Sequence, residues 1–386
     1  MVQSEEVVRL LARLVAFDTT SRNSNLDLIH FVRDEMAARG FACHLRPDAS
    51  GRKANLHAVI GPAVAGGIAL SGHVDCVPVE GQAWLANPFV LRRAEGRLTG
   101  RGACDMKGFV ACMLVAGFAA AGRQLARPLH LLLTFDEETT FAGARQMAAT
   151  LPEDAPLPAM CVVGEPTSMA PVIAHKGYAS WDVRVTGLSG HSSRQDATAN
   201  ALHAAAEAVA WIAARSRAFA VNGRRDAGFT PPHTTVHAGT FHAGTVLNIV
   251  PDLAEFTFEV RSVPGDDPLA VLAALRDHME TTVMPPLRAV HPGCVAEFRE
   301  RAFAPALALA EDHALTLLTQ RITGRNHAGR VSYGTEAGFY QGIGIPTIVC
   351  GPGDIALAHQ PEESVPEADL AECLRYLTWL TDTLAA

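Results

Sequence analysis

Four strand-length segments in the first 165 residues (55–60, 68–70, 129–135 and 160–163) carry apolar residues on both parities. Such runs belong to strands covered on both faces, the habit of parallel sheets. Between and before them lie helical patterns. Val7, Leu11, Leu14 and Val15 make one stripe, with Ser4 placed to cap it, and Ile29, Val32 and Met36 make another that Gly40 can end. Residues 109–121 are so rich in Ala, Gly and small apolar residues that the helix they form is expected to be buried on most of its circumference.

Near His175-Lys176-Gly177 the pattern changes. Residues 178–185 alternate like a half-buried strand, an Ala-rich helix is expected over 199–214, and further strands over 234–236, 254–261 and 295–298. Asp266, Asp267 and Pro268 open a second helix. The tail returns to the first style, with helices expected over 305–323 and 365–384 around a strand at 347–350. The expected fold class is α/β: a catalytic domain with a mostly parallel central sheet flanked by helices, plus an inserted smaller α+β domain. The expected boundaries are 1–175, 176–303 and 304–386.

Composition narrows the possibilities. The 386 residues are 48% apolar and 19% charged, with a net charge of −8 and no run of like charges, which argues against a nucleic-acid partner. No uninterrupted apolar stretch reads as a membrane span, and the N-terminal MVQSEEVVRLLARL lacks the basic region and cleavage site of a signal peptide. Eight cysteines without paired spacing fit a reducing cytoplasm.

The chemistry lies where the apolar runs stop. The run PLHLLLTF ends in Asp136, Glu137 and Glu138; others lead into His73 with Asp75, and into Glu165; Asp105 precedes the small-residue helix, and His359 follows the strand at 347–350. Ligands gather outside the carboxyl ends of strands in such sheets. Imidazoles and carboxylates without thiolates suit Zn²⁺ or Co²⁺ in a catalytic rather than a structural site, and shared carboxylates with one His per ion suit two metals. Asp75 is placed to accept the second N–H of the His73 ring. Glu137 and Glu138 point in different directions, so one can bind metal while the other takes a proton from water. His233, His237 and His242 are not expected to form a site, because extended geometry puts His242 on the face opposite the other two. Cys76 and Cys104 are read as packing.

Together SGHVDCVPV, GRGACDMKG, TFDEETTFAGAR, VVGEPT and GHSSRQD resemble the M20 family of metal-dependent amidohydrolases and peptidases. The stretches HKG, GTVLNIVPD, EFTFEVR and SYGTEAGFYQGIGIPTIVCGPGDIALAHQPEE are similar to its acetylornithine deacetylase branch. The resemblance implies hydrolysis of an N-acyl amino acid, N2-acetyl-L-ornithine first, by a cytoplasmic homodimer that pairs through the inserted lid/dimerisation domain. It implies two ions bound by His73, Asp105, Glu138, Glu165 and His359, with Asp105 bridging and Glu137 as general base. It further implies that His191 supports the oxyanion across the dimer interface, and that Asn248, Arg261 and Gly334 contact substrate. Residues 139–142 and 194–198 depart from the family's usual turns, which leaves the acyl group open. Rival readings are another N-acyl-amino-acid hydrolase, succinyl-diaminopimelate desuccinylase or a carboxypeptidase. Outside enzymology stands a metal-dependent binding protein, which has no need of Glu137.

Overall fold

The computed structural model describes residues 2–386, with side chains from Gln3 onward. It divides into two compact units. The first comprises the chain up to Ala174, Leu307–Arg330 and Thr335–Ala386; the second comprises His175–Ala306 and Val331–Gly334. The stretch 304–386 is thus not one continuous return: residues 331–334, Gly334 among them, group with the second unit.

The first unit is built on a nine-stranded sheet. Its strands lie in the order Ala42–Pro47, Ala54–Ile60, Leu129–Thr134, Ile68–His73, Met160–Pro166, Thr347–Gly351, Val172–His175 and Leu307–Ala308, with Gly329–Val331 pairing onto Val172–His175. The middle is parallel: Ile68–His73 runs with both Leu129–Thr134 and Met160–Pro166, and Thr347–Gly351 runs with Met160–Pro166. Ala54–Ile60 is apolar on both parities yet runs antiparallel to Leu129–Thr134. Burial on both faces was legible there, but direction was not, since an antiparallel strand covered on both sides carries the same pattern.

Every residue of Ile68–His73 and of Leu129–Thr134 is buried. Helix Gly108–Ala121 lies in the core, with all but Phe118, Ala119 and Ala121 of its residues buried. The continuous segment Ala103–Ala121 is long and apolar enough to cross a membrane, but 89% of its most apolar window is buried inside the protein. Gly117 and Gly164 allow this packing. A Cβ on Gly164 would fall 1.9 Å from the Phe109 ring, and one on Gly117 2.7 Å from Leu131.

The helix of residues 2–15 buries Val7, Leu11, Leu14 and Val15 as expected, but it starts at Val2, so Ser4 lies inside it rather than capping it. The helix expected from residue 305 begins only at Ala314, because Leu307–Ala308 joins the sheet edge and the His313 ring caps the helix, accepting from Leu315 N–H at 3.1 Å. The final helix is Glu367–Asp382, shortened at its start because Ser364–Pro366 pairs with Arg97–Thr99.

The second unit is a four-stranded antiparallel sheet, in the order Thr235–Ala243, Leu253–Ser262, Gly177–Thr186 and Ala296–Ala304, with helices Ala201–Asn222 and Pro268–His278 packed on it. Trp181 stacks on Phe258 at 4.8 Å in its core. Asn200 and Asp267 cap the two helices, accepting from His203 N–H and Leu269 N–H. A bulge between Ala238 and Thr240 corrects the expectation for the histidines. His237 faces Glu259 and His242 faces Glu255, so the extra residue puts both rings on one face of the sheet. Both are exposed, and neither belongs to a group of three metal-competent side chains among the described residues.

Candidate metal centre

Adjacent parallel strands end together, and this brings the ligand-type residues together. His73 closes Ile68–His73, Glu137 and Glu138 follow Leu129–Thr134, and Glu165 lies near the end of Met160–Pro166. Asp105 comes from the loop before helix Gly108–Ala121, where the Asp105–Met106 peptide is cis. His359 comes from the loop after Thr347–Gly351, with its backbone in the left-handed region at φ 63°. All belong to the first unit.

The geometry centres on two imidazoles. His73 Nε2 lies 3.0 Å from Asp105 Oδ1; His359 Nε2 lies 2.9 Å from Glu138 Oε2 and 3.4 Å from Asp105 Oδ2. Asp105 therefore stands between the two rings, one oxygen toward each. Ligand atoms of His73, Asp105 and Glu138 fall within 4.8 Å of one another, as do those of His73, Glu137 and Glu165. His73 is common to both groups.

Asp75 is arranged differently from expectation. The His73 Nδ1 atom meets the main-chain oxygen of Asp75 at 2.9 Å, while the Asp75 carboxylate stands 3.6 Å away. A main-chain carbonyl fixes the ring as well as a carboxylate would, leaving Nε2 turned to the site. The Asp75 carboxylate instead accepts from the backbone N–H of Glu137 at 3.1 Å and from the Ser21 hydroxyl at 2.7 Å, with Glu138 N–H at 3.4 Å. Asp136, at φ 57°, pairs with Lys53 and turns its carbonyl to the amides of Thr140 and Phe141.

Charge in the cluster is unbalanced. Burial, reinforced by neighbouring acids, pushes Glu137 and Glu165 well above the usual carboxylate range and Glu138 up to about 7. Burial works against charge on His73, but its hydrogen bond to Asp105 and the nearby Glu165 carry its pKa well above the ordinary imidazole value. Hydrogen bonds to Asp105 and Glu138 raise His359 to about 10. Burial also opposes charge on Asp105, yet the hydrogen bonds from His359 and His73 together hold it below its ordinary value. Three buried acids and the partly buried Glu138 around two rings that hold protons tightly form a site that favours added positive charge. Glu165 Oε1 is buried without a hydrogen-bond partner, as expected of an oxygen reserved for an ion. Imidazole and carboxylate donors without thiolate fit a hard to borderline divalent cation. Cys76 and Cys104 are buried thiols, Cys76 pushed up to about 11 by burial, as packing residues should be.

Glu336 carries a role that was not read from the sequence. It is fully buried and accepts from the Ser71 hydroxyl at 2.5 Å and from the Thr134 hydroxyl at 2.6 Å. Ser71 lies two residues before His73 and Thr134 three before Glu137, so the Glu336 carboxyl ties together the strands that present both. The signal was a charged residue inside the otherwise small and polar stretch SYGTEAG, followed by an apolar helix.

The remaining candidates lie in the second unit. His191 is exposed, its Nδ1 2.8 Å from the Ser193 hydroxyl, and its strand pairs it with Ile249, next to the exposed Asn248. Arg261 lies over the Tyr178 ring at 4.8 Å and donates to Glu259 at 2.9 Å. Gly334 packs beside Tyr178, where an added Cβ would come within 3.3 Å of the Tyr178 Cβ. Lys176 is buried and donates to the carbonyls of Pro231 and His233, both at 2.8 Å.

Residues 69–382 match the sequence model of peptidase family M20/M25/M40. The chain is 37% identical over 371 residues to an acetylornithine deacetylase of Myxococcus xanthus, covering 94% of this chain and 93% of that one. It is 35% identical over 354 residues to an acetylornithine deacetylase of Proteus mirabilis, covering 92% and 88%. Among solved structures, an M20-family metallo-carboxypeptidase from Sulfolobus solfataricus superposes with a TM-score of 0.73 at 16% identity, over 97% of this chain and 98% of that one. A dinuclear metal-binding M20 peptidase from Bacillus subtilis superposes with a TM-score of 0.67 at 16% identity, over 99% of each chain. Sequence relatives and solved structures thus match this chain along nearly its full length, and the solved structures share its fold. This protein belongs to peptidase family M20/M25/M40, and is a metal-dependent enzyme that hydrolyses amides.

Proposed function

We propose that the enzyme removes the acetyl group from N2-acetyl-L-ornithine, giving L-ornithine and acetate, a step of arginine biosynthesis. The observation that carries this reading is the convergence of His73, Asp105, Glu138, Glu165 and His359 on one largely buried cluster, open at His359, that favours positive charge, in a chain 37% identical to a protein described as an acetylornithine deacetylase. In this reading those five residues would hold two divalent ions, Zn²⁺ or Co²⁺, and Asp105, which lies between the His73 and His359 rings, would serve both. When bound, the ions polarise the scissile carbonyl and lower the pKa of water.

The protein's own groups do the rest. Glu137 accepts a proton from the attacking water and delivers it to the departing amine, so that each turnover leaves it unchanged. Its buried setting, which raises its pKa, suits a group that must both take and return a proton near neutral pH. Glu138 meets His359 at 2.9 Å, and in this reading the adjacent Glu137 is the acid that transfers the proton. His191 of the partner subunit in a homodimer built on the inserted unit donates to the developing oxyanion. Asn248 and the Arg261 guanidinium hold the substrate carboxylate, and Gly334 leaves room beside Tyr178.

The test is kcat/KM on N-acetylornithine, N-acetylmethionine, N-succinyl-diaminopimelate and a dipeptide, before and after chelation. The reading expects a clear preference for N-acetylornithine, lost on chelation and restored by Zn²⁺ or Co²⁺. Preference for another acyl amino acid would retain the reaction and replace the substrate.

A further inference from the structure

Asp105 and His359 meet at the centre, yet their segments lie more than 250 residues apart in sequence. A single buried carboxylate joins them. Glu363, 1% exposed, accepts four hydrogen bonds. Its Oε1 takes the backbone N–H of Cys104 at 2.8 Å and of Asp105 at 3.0 Å; its Oε2 takes Gly102 N–H at 3.1 Å and Arg101 Nη1 at 2.7 Å. The Glu363 main chain adds a fifth bond, its carbonyl accepting from Gly100 N–H at 2.9 Å.

Arg101 is fully buried and branches. Its second terminal nitrogen meets Gln82 Oε1, and Gln82 Nε2 donates to the main-chain carbonyl of His359 at 3.0 Å. Trp84 holds the same Gln82 oxygen through its indole N–H at 3.0 Å and lies beside the Arg101 guanidinium at 5.0 Å. Hence one acid fixes the amide of Asp105, and its guanidinium partner fixes the carbonyl of His359 through one amide side chain.

We propose that Glu363 is a positioning residue that shapes the Asp105 loop to receive metal before the ion arrives, and that with Arg101 and Gln82 it sets the separation of Asp105 from His359. Three amides of one loop, those of Gly102, Cys104 and Asp105, converge on a carboxylate much as the amides of a backbone nest converge on an anion. Here the anion is a side chain of the protein, so the loop is held whether or not an ion is present. Arg101 N–H goes to the Pro88 carbonyl and Ala103 N–H to the Gly100 carbonyl, while the amides of Gly102, Cys104 and Asp105 go to Glu363; Gly102, at φ 78°, supplies the turn between them. The inference rests on the metal-centre reading above.

The test uses the full chain, stripped of metal and titrated with Co²⁺ or Zn²⁺ against a chromophoric chelator, in wild type, Glu363→Gln and Leu377→Ala. Leu377 is a buried core residue of the last helix and serves as a control for lost stability alone. Glutamine keeps the length of Glu363, but its NH₂ must face two of the four donors. The expected result is that Glu363→Gln weakens at least one site 10- to 100-fold, the range seen when groups behind metal ligands are removed. Its Co²⁺ visible spectrum should also change, while Leu377→Ala keeps both affinity and spectrum. Affinity within threefold of wild type and an unchanged spectrum in folded Glu363→Gln would overturn the proposal. Wild type that takes up no divalent ion would instead overturn the metal-centre reading, and the proposal with it.

If Glu363→Gln does not fold, hydrogen exchange of wild type decides. The peptide containing residues 101–107 should be protected equally with and without metal; free exchange in the metal-stripped protein overturns the proposal.

Discussion

The Asp75 carboxylate does not touch the His73 ring but holds the backbone of Glu137, accepting its N–H at 3.1 Å. It orients the acidic turn from beneath, while its main-chain oxygen orients the imidazole. Asp75→Asn keeps the shape but replaces one acceptor with a donor pointed at Ser21 or at the turn. We expect kcat to fall about 10- to 100-fold with the His73 ring still in place. Metal content measured beside kcat checks this: loss of metal with unchanged kcat per ion would contradict an action through the turn.

If Glu137 carries the proton, Glu137→Gln removes that function while leaving His73, Asp105, Glu138, Glu165 and His359 untouched. Turnover should drop by about 10² to 10⁴, with two ions retained by elemental analysis. Near-normal kcat would remove Glu137 as the base, and loss of an ion would make it a ligand, a role its atoms also allow beside His73 and Glu165.

Were His191 to act across a dimer, a mixture of inactive His191→Ala and Glu137→Gln proteins would regain activity, because each mixed dimer holds one site with both groups intact. Subunit exchange can be followed with two affinity tags. Confirmed exchange without recovery would place the action of His191 within its own chain.

Away from the centre, three histidines and an acid share one region of the first unit. His57 Nε2 faces His130 Nδ1 at 3.0 Å, His57 Nδ1 faces Asp154 at 3.2 Å, and His44 lies 3.5 Å from Asp154. Burial lowers His57 to about 4 and His130 to about 3. Both folded values lie below the ordinary imidazole value, so the unfolded chain binds protons first as pH falls. Stability is therefore full above about pH 6.5 and is lost on the way down to about pH 4, by an amount on the order of 3 kcal/mol for a shift from 6.5 to about 4. His130→Leu, which also removes a buried ring nitrogen without a partner, should flatten this slope between pH 6.5 and 5 in urea titrations. An unchanged slope would show that other groups carry the acid sensitivity.

How far the sequence reading reached depends on where each residue's information lies. His73, Glu138 and Glu165 stand where apolar runs stop, and that boundary is visible in one dimension. Glu336 and Glu363 also carry charge, but what makes them matter is the company of Ser71, Thr134 and the amides of 102–105, which only the folded chain assembles. The inverted role of Asp75 turns on an ångström or less between a carbonyl and a carboxylate of the same residue. The two histidines of the second sheet were assigned to opposite faces because strict alternation cannot register a bulge at Ala238–Thr240.

The parallel strand Thr347–Gly351 sits between Met160–Pro166 and Val172–His175, although more than 170 residues separate it from both. A ribosome delivers its product from the N-terminus, so the nascent chain completes two neighbours long before the strand that belongs between them. During that interval the apolar edge of Met160–Pro166 has no mate, the situation in which strangers pair with an open sheet. His359 follows this late strand in the next loop, beyond the short turn Ile355–Leu357. A chain stalled in the second unit therefore carries an unfinished sheet and has not yet gained His359, so it would offer chaperones an open strand edge.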